Sequence, residues 1–154
     1  MSAKKTATPP RWLKPMNRVL MTVQRLGLGM KDLPVLTVAG RRSGEPRRTP
    51  LSVLDLDGER YLLEGFPGAD WARNARAAGT GTLSVGKTQE RVRLVEVDPQ
   101  DAVPVLRAWP VRMHDGAKIM RDAGVVDELT PEAFEGLAGR CAVFRLDNPD
   151  DVAG

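Results

Sequence analysis

Arginine side chains are concentrated in one short stretch of the chain. Within eight positions lie four of them: Arg41, Arg42, Arg47 and Arg48. Apolar runs flank this stretch on both sides and can form two strands. Gly44 can take a positive φ, so the backbone N–H groups of the loop between these strands can form a concavity. Guanidinium groups form paired hydrogen bonds with phosphate or carboxylate. The stretch therefore predicts a β-hairpin whose loop is a candidate clamp for a polyanion.

Chemistry alone leaves three interpretations of this loop open. It could bind a specific small anion, lie solvated on the surface, or contact nucleic acid. Nucleic acid is the least favoured, because none of the three tryptophans or the single tyrosine interleaves with the arginines as a stacking platform.

Two motifs resemble those of a known family. Residues 40–51 (GRRSGEPRRTPL) resemble the signature hairpin of the deazaflavin-dependent nitroreductase family, which is usually Gly-Arg-Lys/Arg-Ser/Thr-Gly-x-Pro-Arg followed by Pro-Leu. Residues 71–75 (WARNA) resemble its Trp-x-x-Asn-Leu helix, with alanine in place of leucine. The similarity covers about residues 33–97 and extends more loosely to Leu146.

The resemblance implies a split β-barrel oxidoreductase that uses coenzyme F420. The ring of this coenzyme delivers a hydride, and its tail carries a phosphate and several glutamates. The implied reaction is hydride transfer from reduced F420 to an electron-poor or unsaturated organic acceptor, as in nitroreductases and ene-reductases. The implied cofactor-binding residues are Arg41, Arg42, Ser43, Gly44, Arg47, Thr49, Pro50, Leu51, Gly65, Phe66, Trp71 and Asn74. Among these, Arg42 and Arg47 occupy the positions that meet the anionic tail. Trp71 has an alternative interpretation as a core anchor that packs with Ala75 and Ala78.

The substrate side of the site departs from the family pattern. Nitroimidazole-activating members carry several tyrosines in the later helical segment, whereas the one tyrosine here, Tyr61, lies on a predicted strand. Trp12, Met113 and His114 are candidates for a pocket that takes a hydrophobic or electron-poor small molecule, and no catalytic residue is assigned. The alternative function is a divergent, non-catalytic relative that binds a lipid or fatty acid in the same pocket.

Composition indicates one globular domain. Of the 154 residues, 42% are hydrophobic and 28% charged. One cysteine and one histidine exclude an internal disulfide and any metal site built from several such residues. Cys141 lies in an apolar run and is expected in the core. A chain with a single cysteine and no disulfide fits a reducing, cytoplasmic compartment. Dinucleotide-binding, P-loop and nucleophile-elbow motifs are absent.

The N-terminal region is basic. Residues 1–31 hold seven basic and no acidic side chains. A polar tail is predicted for residues 1–10, and an amphipathic helix follows from Trp12 to Leu26. This helix either caps the core of its own domain or makes a peripheral membrane contact through residues 11–26 at the inner membrane face. A homodimer is among the oligomeric states left open.

Strand patterns in the centre indicate a curled sheet. Strands are predicted at 34–39, 49–56, 59–64, 82–85, 90–97 and 140–146, and helices at 70–78, 98–109, 111–126 and 130–137. Asp57-Gly58 is a predicted hairpin turn, Asp70 and Thr130 are predicted helix N-caps, and Gly79 is predicted to end the first of these helices. Pro104 argues against one unbroken helix over 98–109 unless it stands in a first turn. The apolar positions change parity within 51–56 and 92–97, as expected where a sheet curls into a small barrel. The predicted fold is therefore α+β and mainly β: an antiparallel split β-barrel with an N-terminal amphipathic helix and peripheral helices. It spans residues 11–146 and is followed by a loose acidic tail, 147–154.

Overall fold

The structure is a computed structural model, and it describes residues 33–150. Its strands are β1 (Val35–Ala39), β2 (Pro46–Pro50), β3 (Leu54–Leu56), β4 (Glu59–Leu63), β5 (Thr80–Val85), β6 (Thr88–Glu96) and β7 (Val143–Asp147). Its helices are α1 (Asp70–Ala78), α2 (Pro99–Arg112), α3 (His114–Asp122) and α4 (Pro131–Glu135). The predictions for the N-terminal tail, for Trp12 and its helix, for the membrane contact of residues 11–26 and for the end of the acidic tail lie outside the described residues.

The strands form one antiparallel sheet that must be strongly curled. Its strand order is β2-β1-β5-β6-β7-β4-β3, which puts β2 and β3 at opposite ends although only residues 51–53 connect them. Four extended Cα steps span at most about 14 Å, whereas six strand spacings in a flat sheet cover about 29 Å. The two ends of the sheet therefore lie close together, which confirms the predicted split barrel.

The predicted second strand is two strands. It was expected at 49–56, but β2 starts inside the arginine stretch at Pro46 and ends at Pro50, and β3 begins at Leu54. Between them the chain leaves one edge of the sheet and joins the other, so the parity change falls where the strand is interrupted. The two prolines suit an edge strand, since one side of such a strand needs no ladder hydrogen bonds.

Two apolar clusters hold the sheet, one on each face. The first cluster contains Leu36, Val38, Leu62, Trp71, Ala72, Ala75, Leu83, Val92, Leu94, Phe144 and Leu146, and it packs α1 onto the sheet. The second cluster joins β3, β4 and β7 to the helices α2, α3 and α4. Neighbouring residues such as Leu62 and Leu63 divide between the two clusters because side chains alternate along a strand.

Local turn and helix signals are mostly confirmed. Asp57 and Gly58 have φ values of 53° and 83°, as a tight hairpin turn requires, and Gly79 ends α1 with a φ of 74°. Thr130 caps α4 by accepting a hydrogen bond at Oγ1 from Ala133 N at 3.1 Å. The prediction that Asp70 caps α1 is wrong: the cap position is Ala69, and Asp70 is already the first helical residue.

Pro104 lies inside α2 without interrupting it, so the prediction of a broken helix in this region is wrong. The missing proline N–H leaves the carbonyl of Gln100 without its helical partner. Both residues are exposed, whereas Val105 and Leu106 on the other face are buried. Water can therefore satisfy that carbonyl while the apolar face keeps the helix packed on the second cluster.

Gly81 allows β1 and β5 to approach closely. A Cβ atom there would lie 2.8 Å from the carbonyl oxygen of Thr37 and 2.9 Å from Cγ1 of Val38. Both contacts involve a strand that is held on two sides. We therefore expect Gly81→Ala to lower the free energy of unfolding by about 2 kcal/mol, measured by urea denaturation. Gly116→Ala is the matched control: a Cβ there meets nothing closer than 4.0 Å, and helix α3 should gain up to about 1 kcal/mol. Equal effects of the two changes would contradict the close approach.

Asp147 lies in β7 and binds an arginine of its own strand and one of β6. Its carboxylate accepts hydrogen bonds from Arg145 Nε at 2.8 Å and Nη2 at 2.9 Å, and it contacts Arg93 Nη2 at 3.4 Å. The hydrogen bonds from Arg145 hold the pKa of Asp147 below its usual value.

This pKa shift predicts a pH-dependent contribution to stability. A lowered carboxyl pKa stabilises the fold above the unfolded-state value of about 4, and this contribution is lost as pH falls through the folded-state pKa. We expect Asp147→Asn to lower the free energy of unfolding by about 1–2 kcal/mol at pH 7, and the difference from the native chain to shrink toward pH 2.5. Urea denaturation at both pH values measures this, and a difference that persists undiminished at pH 2.5 would contradict it.

None of the helices within residues 33–150 combines the length and the apolar character needed to cross a bilayer.

Candidate functional site

The loop between β1 and β2, residues 40–45, is shaped by its glycines and its serine. Gly40 N donates to Glu45 O at 2.8 Å, and Gly44 N donates to Gly40 O at 2.9 Å. Gly44 has a φ of 77°, which favours glycine, and Ser43 Oγ accepts from Glu45 N at 3.1 Å. A Cβ on Gly40 would lie 3.2 Å from Arg47 Nε. The absence of a side chain at Gly40 therefore leaves room for the Arg47 side chain to pack against the backbone of the loop.

A cleft of about 650 Å³ separates this loop and β2 from α1. Its walls are formed by Gly40, Arg41, Arg42, Ser43, Pro46, Arg47, Arg48, Thr49, Asp70, Trp71 and Asn74. Four of these side chains are cationic and one is anionic. The arrangement gives the cleft a formal charge of +3, equal to four arginines less one aspartate, and makes it a site for an anionic ligand.

Three of the four cleft arginines have no acidic partner within residues 33–150. Arg42, Arg47 and Arg48 form none of the ion pairs found there, and all three are exposed. Their guanidinium donors are therefore available to a ligand, and a ligand with several negative groups could engage more than one of them.

The β1–β2 register places these side chains around the edge of the sheet. Arg47 lies opposite Val38 and Thr49 opposite Leu36, and directly paired residues share a face. Both partners are buried in the first cluster, so Arg47 and Thr49 lie on the face that carries α1. Arg48 lies on the alternate face and still lines the cleft, because β2 is the edge strand.

Arg41 differs from the other three because it is bound to α1. Its backbone N and its Nη1 both donate to Asn74 Oδ1, at 3.0 and 2.8 Å, and its Nη2 contacts Asp70 Oδ1 at 3.4 Å. The Arg41 side chain is 24% exposed, whereas that of Asp70 is 82% exposed. The pair with Asp70 is therefore a weak surface interaction, and Asn74 is the main partner of Arg41.

Trp71 and Asn74 lie one turn apart on α1 and both line the cleft. Trp71 also belongs to the first cluster, where its ring centroid lies 5.7 Å from that of Phe144. The core-anchor interpretation and the cleft interpretation of Trp71 therefore both apply. Ala75 shares that core, but Ala78, the other residue of the core-anchor interpretation, is exposed.

The structure does not bring every candidate residue to the cleft. Gly44, Pro50 and Leu51 flank it in sequence without lining it. Gly65 and Phe66 lie beyond the N-terminus of α1, where Phe66 packs against the second cluster and Gly65 faces Met120.

The three candidates for the substrate pocket are likewise not placed at the cleft. Met113 packs against the second cluster, and His114 begins α3. Neither lines the cleft. Trp12 lies outside the part of the chain that the structure describes.

Sequence reasoning missed several residues that form or support the cleft. Gly40, Pro46 and Arg48 belong to the arginine motif, whose spacing could have indicated them. Asp70 was interpreted as a helix cap and not as a cleft residue. Glu64 was missed altogether: this 4% exposed carboxylate accepts backbone hydrogen bonds from Gly68, Ala69 and Ala142.

Cys141 is buried in the second cluster, as predicted. Burial, with a smaller effect of Glu64, raises the pKa of its thiol to about 12. A thiol with this pKa is almost fully protonated near neutral pH, which excludes it as a ready nucleophile in the native state.

Comparison with known proteins identifies the family. A family model described as F420H(2)-dependent quinone reductase matches residues 15–125. No curated protein matches the chain. The match confirms the F420-dependent family that the arginine motif indicated, and it contains every cleft residue. Reduction of nitro compounds stays a prediction.

Solved structures give weaker likenesses. One described as a domain-swapped dimer is 19% identical, with a TM-score of 0.47, and the match covers 91% of this chain and all of that one. An F420-H2 dependent reductase, FDR-A, is 18% identical with a TM-score of 0.45, over 76% of this chain and 95% of that one. PhzG from Burkholderia lata 383, in complex with tetrahydrophenazine-1-carboxylic acid, is 13% identical with a TM-score of 0.47. That match covers 96% of this chain and 81% of the PhzG chain.

The assignment rests on the family model, which spans well over half of the chain. The chain therefore belongs to the F420H(2)-dependent quinone reductase family and is an oxidoreductase with coenzyme F420 as its cofactor.

Proposed function

We propose that this protein binds reduced F420 in the cleft between the arginine loop and α1 and reduces a quinone. The observation that carries the proposal is the group of three exposed arginines, Arg42, Arg47 and Arg48, which line one cleft and form no ion pair within residues 33–150. A cofactor with a phosphate and several carboxylates in its tail matches this charge.

The residues of the cleft fit the tail of such a cofactor and the part between its phosphate and its ring. Arg42, Arg47 and Arg48 would hold the phosphate and the carboxylates of the tail through charge-assisted hydrogen bonds. Trp71 offers an apolar ring that suits the part between phosphate and ring, whereas Oδ1 of the neighbouring Asn74 already accepts from Arg41. The bound cofactor supplies the hydride, so the protein needs to position it and to exclude competing reactions.

A quinone fits the acceptor predicted from the sequence. It is an electron-poor, unsaturated carbonyl compound, and the family description names this class. Nitro compounds and simple enones share the electron-poor character and form the comparison set. Cytoplasmic location, a peripheral membrane contact through residues 11–26 and a homodimer stay predictions.

Two measurements test the proposal. F420 is titrated into the protein while tryptophan fluorescence is followed, since Trp71 lines the cleft. Oxidation of reduced F420 is then measured with a quinone, a nitro compound and an enone. We expect binding in the micromolar range or tighter, weakened by salt, and the highest kcat/KM for the quinone.

Two results would contradict the proposal. A lack of binding at micromolar F420 would return the protein to the alternative of a non-catalytic relative that binds a lipid or fatty acid. Binding without quinone reduction, while the enone or the nitro compound reacts, would retain the cofactor and replace the acceptor.

A further inference from the structure

The four arginines of the cleft divide into two groups by their contacts. Arg42, Arg47 and Arg48 form no ion pair within residues 33–150. Arg41 instead directs its backbone N–H and two guanidinium nitrogens at α1, where Asn74 and Asp70 accept them. An arginine whose donors are already directed at protein acceptors has fewer left for a ligand, and Arg41 therefore differs in role from its neighbours.

Asn74 is suited to hold this loop. It is 5% exposed, and its Oδ1 accepts at 3.0 Å from Arg41 N and at 2.8 Å from Arg41 Nη1. A carbonyl oxygen has two lone pairs, so both acceptor positions of Asn74 are used, and its amide oxygen must face the loop. The contact joins residues that are 33 positions apart and links the arginine loop to the helix that forms the opposite wall.

We propose that Arg41 is a positioning residue that fastens the β1–β2 loop to α1 through Asn74, so that Arg42, Arg47 and Arg48 are held ready for the anionic ligand. This inference rests on the proposed function, because it assigns the ligand-binding charge to those three arginines. A loop that is ordered before binding does not lose that conformational freedom when the ligand binds, so the affinity is higher.

The inference separates the variants by two properties. Removing a charge that meets the ligand weakens binding and also makes it less sensitive to salt, since fewer ionic contacts remain to be screened. Releasing the loop weakens binding but keeps those contacts. We expect Asn74→Ala to weaken F420 binding about tenfold with an unchanged salt dependence. Arg42→Gln and Arg48→Gln should flatten the salt dependence.

Variants of Arg41 provide a graded test. Arg41→Ala keeps the bond from its backbone N–H and should lose less affinity than Asn74→Ala, which removes both bonds to Asn74 Oδ1. Arg41→Lys keeps a donor that can reach the same oxygen and should restore most of the affinity. Combining Arg41→Ala with Asn74→Ala should add almost nothing to Asn74→Ala alone, because the two residues act through one contact.

A measurement without F420 tests the fastening itself. The amide proton of Arg41 is bonded to Asn74 Oδ1, so its hydrogen exchange should be slow in the native chain and at least about tenfold faster in Asn74→Ala. Asn74→Asp retains an acceptor oxygen and should retain the protection. Both variants are compared with the native chain under conditions where urea denaturation shows them folded.

The outcomes distinguish the inference from the proposed function. Equal exchange of the Arg41 amide in the native chain and in Asn74→Ala would overturn the inference, as would a salt dependence flattened by Asn74→Ala as much as by Arg42→Gln. Protection of that amide together with a lack of F420 binding by the native chain would leave the fastening in place and refute the proposed function.

Discussion

Replacing Arg47 by alanine should weaken F420 binding about 100-fold while leaving the fold intact. Arg47 lies on the face of β2 that carries α1, lines the cleft and forms no ion pair within residues 33–150. A hydrogen bond between charged partners contributes about 1.5–3 kcal/mol, and about 2.7 kcal/mol corresponds to two orders of magnitude in affinity. Titration followed by tryptophan fluorescence at low salt measures the change.

Arg140→Ala is the matched control for charge. Arg140 is also exposed, but it follows α4 and does not line the cleft. Its removal lowers the net charge by the same amount and should change F420 affinity by less than about twofold. The free energy of unfolding of Arg47→Ala should stay within about 0.5 kcal/mol of the native value. Similar losses of affinity in the two variants would mean that F420 responds to overall charge and does not bind in this cleft.

The arginine motif could be located from sequence because its function is local. Residues 40–49 form one hairpin, so their spacing along the chain fixes their spacing in the cleft. The Asp57-Gly58 turn and the end of α1 at Gly79 were predictable for the same reason, since each depends on the φ of one or two residues.

Features that depend on distant partners could not be predicted in this way. The interruption at Leu51–Val53 is set by the curl of the whole sheet, which brings the edges formed by β2 and β3 together. Pro104 is tolerated because α2 packs on the second cluster through its other face. The periodicity of apolar residues within a short stretch of sequence contains no information on the curl of the sheet or on the packing of α2. The predicted boundaries of strands and helices were therefore wrong where tertiary packing decides them.

The difference between the roles of Arg41 and Arg42 has the same origin. The two residues are adjacent and chemically identical, and the family motif treats both as cofactor contacts. Only the packing of α1 against β1 brings Asn74 within hydrogen-bonding distance of one of them. The motif locates the cleft, and the tertiary contact decides which arginines remain available to a ligand.

Glu64 supports the helix wall of the cleft from behind. It directly follows β4, and its Oε2 accepts from Gly68 N at 2.9 Å and from Ala69 N at 3.1 Å. Its Oε1 accepts from Ala142 N at 2.9 Å, immediately before β7. One side chain thus satisfies backbone donors at the start of α1 and beside β7, which fixes the helix that carries Trp71 relative to the sheet.

Glu64→Ala should therefore be among the most destabilising single changes in this chain. Gly68 N and Ala142 N lose their acceptor, whereas Ala69 N keeps Phe66 O at 3.0 Å. A donor left unpaired costs about 1–3 kcal/mol, and water can reach the exposed Gly68, so we expect a total loss of about 3 kcal/mol. Urea denaturation at pH 7 measures this, with Glu128→Ala as the control because that carboxylate is exposed. Glu64→Gln should lie between the two: one oxygen still accepts, but the new NH₂ group directs donors at backbone donors. The same bonds fix the start of α1, so F420 affinity should fall in the same order, from the native chain through Glu64→Gln to Glu64→Ala. A stable Glu64→Ala variant with native F420 affinity would contradict this and would show that α1 is held by the first cluster alone.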